Sequence, residues 1–150
     1  MSTLVNQLYQ HYSTASTLLE KLHSLVSISA RLYIAQVFFL AGLTKIKDWD
    51  TTLFLFEEEY QVPFLSYELA AYLGTFGELV FPILLAIGLA TRFSAIALSV
   101  VNIVAVISLE EIAPAALYLH VVWGILLAQV VIYGSGFLSA DRWLKAKWAS

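Results

Sequence analysis

The sequence predicts an all-α protein: a transmembrane four-helix bundle with an N-terminal amphipathic helix and a short interfacial helix in the first outer loop. Three observations predict it. The 150 residues are 60% hydrophobic and 13% charged, with a mean hydropathy of +0.79, whereas an ordinary soluble domain is about half apolar and a quarter charged. Four apolar stretches approach the roughly 20 residues that a helix needs to cross a bilayer. Short polar segments separate them, and the length leaves room for one membrane domain.

The same bulk properties exclude several function classes. A net charge of −3 without any basic stripe implies no nucleic-acid partner. The chain has no cysteine, so disulfides, thiol relays and iron–sulfur ligation fall away. Residues 1–24 lack the apolar core and small-residue cleavage pattern of a secretory signal, and no lipidation motif is visible.

Residues 1–24 form the first unit. Leu4, Leu8, Tyr12, Ala15, Leu19, Leu22 and Val26 recur at steps of three and four, while Gln7, Gln10, Ser13, Thr14, Glu20 and Lys21 fill the other faces. This stripe reads as an amphipathic helix lying on the membrane or on the protein. The membrane domain follows over residues 25–136. Its first span, Leu25 to Ile46, is interrupted by Arg31 and Gln36 and closes on Gly42-Leu43-Thr44-Lys45, where Lys45 suits a headgroup anchor.

Trp49, Leu53, Phe56 and Tyr60 then make a short interfacial helix, stopped by Pro63. The second span, Ser66 to Leu89, carries Gly74, Gly77 and Pro82, and Glu78 sits near its middle. Small residues there admit a neighbouring backbone, and Pro82 frees the carbonyl of Glu78, which predicts a kink. The third span, Phe93 to Leu109, holds Asn102, and Pro114 suits the start of the fourth, Ala115 to Tyr133. His120 lies one to two turns inside that span and Gln129 deeper. Residues 137–150 form a basic, Trp-bearing tail in which Asp141 suits a cap of the tail helix.

An ionisable group at mid-membrane costs on the order of 3 kcal/mol, so Glu78 should face protein or water. Counting 1.5 Å per residue from the outer ends puts Glu78 at about 18 Å and Arg31 at about 21 Å, which predicts that they pair. Gln36, Asn102 and His120 fall nearer the outer face and make a second polar layer. Arg31, Gln36, Glu78, Asn102 and His120 together form the candidate intramembrane ligand pocket, with no catalytic residue assigned. Each also has a plainer reading, as a register pin or interhelical hydrogen bond. A single histidine inside a span does not make a bis-histidine haem site, and His11 and His23 do not share a helical face, so no metal site is expected. Lys and Arg near the span ends place both termini in the cytoplasm and the two acidic loops outside.

The order of these features resembles the DoxX family of small bacterial membrane proteins. Arg31-Leu32, Gly42-Leu43-Thr44-Lys45 and Asp48-Trp49-Asp50 carry the resemblance in the first half. Gly77-Glu78-Leu79, Gly88-Leu89-Ala90-Thr91-Arg92, Gly134-Ser135-Gly136 and Leu138-Ser139-Ala140-Asp141-Arg142 carry it in the second. Ser135 departs from the proline usual between those glycines, which predicts a less rigid turn. The run from Leu43 to Tyr60 looks like a branch found beside multinuclear iron oxidases and linked with metal stress. The resemblance implies a four-helix membrane protein of the bacterial inner membrane, tied to redox or oxidative-stress complexes, with a quinone as the ligand to test. The alternatives are a non-catalytic membrane anchor or scaffold for a partner protein or, less favoured, a small-solute transporter; the partners to test are a second protein or further copies of the chain. Among these, only the lipid bilayer is a partner that composition itself implies.

Overall fold

The computed structural model describes residues 2–148, and they fold as six helices: α1 (Ser2–Lys47), α2 (Trp49–Glu58), α3 (Tyr67–Ile87), α4 (Thr91–Ile107), α5 (Pro114–Tyr133) and α6 (Ala140–Trp148). Three of them, α1, α3 and α5, are long and apolar enough to cross a membrane. α4 is apolar but has 17 residues, about 25 Å of helix. α1 packs on α3 and α5, and α4 packs on the same two, so the long helices close into a ring. Its core is Ile34, Phe38, Leu85, Ala95, Leu98 and Leu127, flanked by Phe81 and Trp123. Large apolar side chains on the outer faces, such as Phe76, Ile96 and Ile125, are half or more exposed. That inversion suits a lipid solvent.

The expected break between an amphipathic helix and the first span is absent. α1 runs unbroken for 46 residues, about 69 Å. The reason lies in the sequence itself, since no glycine precedes Gly42 and no proline precedes Pro63. Without such residues nothing makes a helix turn sharply.

α2 is capped by Asp48, whose carboxylate accepts the backbone N–H and the hydroxyl of Thr51. Those bonds hold its pKa below the ordinary carboxylate value. The aromatic stripe of α2 packs on α3. Phe56 packs on Ala70 and Ala71, and Trp49 meets Tyr72 at 4.8 Å between ring centroids. Gly74 faces the Phe56 ring at a distance where a β-carbon would make an ordinary contact of 3.5 Å. Pro114 occupies the first turn of α5, as expected. α3 continues through Pro82 to Ile87.

Candidate functional site

The candidate pocket divides into three separate groups. The first is Arg31, whose side chain is fully buried. Its Nε donates to Leu85 O at 2.9 Å and its Nη2 to Ala86 O at 2.8 Å, both in the last turn of α3. Its Nη1 donates to Ser135 O and, at 3.1 Å, to Leu138 O in the segment after α5. A guanidinium has five N–H donors in a rigid fork. Here it satisfies carbonyls that a helix end leaves open, at the negative pole of the α3 dipole. Gly88 makes this fit possible. Its φ is +76°, and a β-carbon there would stand 2.7 Å from Arg31 Nη2.

Arg31 therefore does not pair with Glu78. The partner of Glu78 is Lys45, with Nζ 2.5 Å from Oε2, and both side chains are largely shielded. Lys45 reaches inward instead of anchoring in headgroups. Depth counting failed because α3 starts well above the end of α1. The first turns of α3 pack on α2, and Glu78 meets α1 near its last turn. Gly42 sets the helix spacing at this level, since a β-carbon there would lie 2.9 Å from the Leu79 side chain and 3.1 Å from the Glu78 carbonyl carbon.

An open groove of about 510 Å³ is lined by Ile46, Trp49, Tyr72, Thr75 and Phe76, close in sequence to the pair but without either of its members in the lining. Ile46 follows Lys45, and Thr75 stands one turn before Glu78 on α3. Thr75 is 5% exposed, and its Oγ1 has no hydrogen-bond partner among the described residues. Sequence reasoning missed Lys45 and Thr75 as site residues. The i to i+3 spacing of Thr75 and Glu78 was a usable signal.

The third group joins α4 to α5. Asn102 Nδ2 donates to His120 O at 2.9 Å, so Asn102 Oδ1 faces His120 Nδ1 at 2.8 Å. That arrangement puts the proton on Nδ1 and leaves Nε2 as an acceptor. His120 contacts the edge of Trp123 at 4.9 Å, and Trp123 Nε1 donates to Tyr33 OH at 3.3 Å. The Asn102–His120 half of the second polar layer thus forms. Gln36 does not join it, because it lies on an exposed face of α1. Among the described residues no cluster of three metal-ligating side chains occurs.

At the Arg31 end the tail is tied to the ring. Asp141 accepts the backbone N–H of Ala90 at 2.7 Å and of Thr91 at 2.9 Å, and its own N–H donates to Gly88 O. It caps α4 across the fold, not its own helix. Ser139 takes the other role, accepting the N–H of Arg142 at 3.3 Å. Ser27 Oγ donates to Gly134 O at 2.8 Å, and Ser135 Oγ donates to Ser139 Oγ at 2.8 Å. Several runs that carried the family resemblance are thus explained by this network, a matter of helix ends and their caps.

No curated protein and no solved structure matches the chain. Residues 26–111, more than half of the sequence, match the family model described as DoxX. The match runs from the middle of α1 through α4 and stops before α5, so the Gly134 to Arg142 run lies outside it. With helices of this length and apolarity, the chain is a multi-pass membrane protein and belongs to the DoxX family.

Proposed function

We propose that this protein is a membrane subunit of a redox or metal-stress system and that it binds a quinone in the groove beside Lys45 and Glu78. A quinone head is a flat ring with carbonyl oxygens on opposite edges. Trp49, Tyr72 and Phe76 supply aromatic walls for such a ring. Lys45 Nζ supplies a donor for one of its oxygens, Thr75 Oγ1 supplies a second when its side chain turns toward the groove, and the Glu78 carboxylate is an acceptor for a hydroxyl of the reduced form. The observation that carries the reading is Thr75: a buried hydroxyl without a partner among the described residues, in the wall of a groove, one turn before the carboxylate of a largely shielded ion pair. Buried hydroxyls normally have partners.

In this reading α1, α3, α4 and α5 cross the bacterial cytoplasmic membrane as a four-helix bundle. Arg92, Arg142, Lys145 and Lys147 lie toward the Arg31 end, whereas the acidic residues of α2 and of the α4–α5 loop lie at the other. The Lys and Arg bias supports a cytoplasmic location for both termini, with Lys45 and Lys47 at the end of α1 counting against it.

The test is titration of purified protein in lipid nanodiscs with a short-chain quinone, followed by calorimetry. Thr75→Val keeps the shape and removes the hydroxyl. It should weaken binding by several-fold up to about tenfold, as expected for one hydrogen bond. Glu78→Gln should weaken binding of the reduced quinol more than that of the quinone. Equal affinities for wild type, Thr75→Val and Glu78→Gln would remove the site.

A further inference from the structure

α1 extends past the helices that surround it. His23 meets Tyr133, the last residue of α5, at 5.2 Å between ring centroids, and Gly136 abuts Ser24. The helix before that level projects beyond the ring, and its apolar side chains are bare. Leu8 is 67% exposed, Tyr12 71% and Leu19 67%. A helix of about 20 residues with no tertiary packing is marginal in water, because nucleation is costly and packing supplies most helical stability. This one needs a cover.

The pattern of the arm says what covers it. Val5, Tyr12, Leu19 and Val26 fall at a positions of a heptad, and Leu8, Ala15 and Leu22 at d positions. The repeat is strict, alternating three and four, for three heptads. All b, c and f positions between them are polar, from Asn6 to Ser24. A sustained period of 3.5 is the mark of a coiled-coil seam, whereas a helix on a flat surface has no reason to depart from 3.6. β-Branched residues at a with Leu at d favour two parallel strands, and both ends of the seam have that composition, Val5 with Leu8 and Val26 with Leu22. Ala15 leaves room beside Tyr12 in the middle. The only Asp, Glu, Lys or Arg in the seven residues before Val26 and the fourteen before those are Glu20 and Lys21, at b and c. Two copies would therefore meet without like charges in the seam.

Attachment to the membrane decides the geometry. The arm continues a membrane-crossing helix without a break, so it leaves the ring along the axis of that helix. Two copies inserted in one bilayer hold their α1 helices parallel and at the same height. That alignment removes much of the orientational cost of association. We propose that residues 5–26 form a parallel, in-register coiled coil with the same segment of a second copy of this chain.

The absence of native cysteine gives a clean background for the test. Leu8→Cys, Ala15→Cys and Leu22→Cys are placed at d, and Gln10→Cys and Thr17→Cys at f, in full-length protein in native membranes. Mild oxidation should give dimers several-fold more efficiently at d than at f. Equal cross-linking at both sets, or none at d, would overturn the proposal. So would a disulfide between Leu8→Cys and Leu22→Cys in mixed copies, which requires antiparallel strands, or a d-position product with the mass of another protein. Leu19→Glu should convert dimer to monomer by light scattering in detergent while helicity stays native apart from the arm. It leaves Lys45, Thr75 and Glu78 in place, so quinone affinity in the same variant reports separately on the groove.

Discussion

Arg31 shows how a buried guanidinium can be held mainly by backbone carbonyls, with the Asp141 carboxylate acting on it at longer range. Its carbonyl partners supply four partial negative charges, two of them at the C-terminus of α3. Lysine cannot replace it, because a single ammonium has three donors and no planar fork. Arg31→Lys should leave two or more carbonyls unbonded. It should lower the unfolding free energy by about 2 kcal/mol or more, read by denaturant titration in mixed micelles. Quinone affinity should stay unchanged, since the groove lies at the other end of α1. A loss of affinity with unchanged stability would contradict the structural role assigned here.

At the scale of elements, the distance between α1 and α3 controls the Lys45–Glu78 pair. Gly42 allows the close approach, and Leu79 fills the space in front of it. Gly42→Ala should push the helices apart and cost about 1–3 kcal/mol by overpacking, despite the better helix propensity of alanine. The same change should weaken quinone binding, because Lys45 and Glu78 sit on the two separated helices. Thermal unfolding and the binding titration measured on one sample check both effects. α2 has a complementary task. It fills the gap left where α3 stands above the end of α1, and it brings Trp49 to the groove.

The whole molecule is closed at the Arg31 end by its tail, and Asp141 is the clasp. Burial works against the charged carboxylate, but hydrogen bonds from Thr91 and Ala90 and the nearby Lys145 outweigh it, so its pKa lies below the ordinary value. A carboxyl with a depressed folded-state pKa contributes its full stabilisation above the unfolded value of about 3.9. That contribution is lost as pH falls through the folded-state pKa. Wild type should therefore lose stability on acidification below about pH 4, and Asp141→Asn should show a flatter profile there. At neutral pH, Asp141→Ala should cost about 1 kcal/mol, as for loss of other helix caps. Limited proteolysis after α5 should become faster in the same variant.

The order of the helices and most of their ends were legible in the sequence, because apolar length and the placement of Gly and Pro act locally, whereas the continuity of the N-terminal arm with the first span was not. Pro114 at the start of α5 and the short helix before Pro63 follow from such local chemistry. The family was legible too, from the order of short runs around helix ends. The strict heptad of residues 5–26 was present as well, although nothing in the chain alone showed that the arm would stand uncovered. The partners of buried charges were decided only by the tertiary structure. Glu78 chose Lys45 over Arg31, and Asp141 chose α4 over its own helix, because α2 raises the start of α3 relative to α1 and the tail folds back beneath the turn at Gly88. Those offsets are set by packing between elements far apart in the chain. Counting residues along each helix measures depth from that helix's own end, and it contains no information about how the ends are aligned.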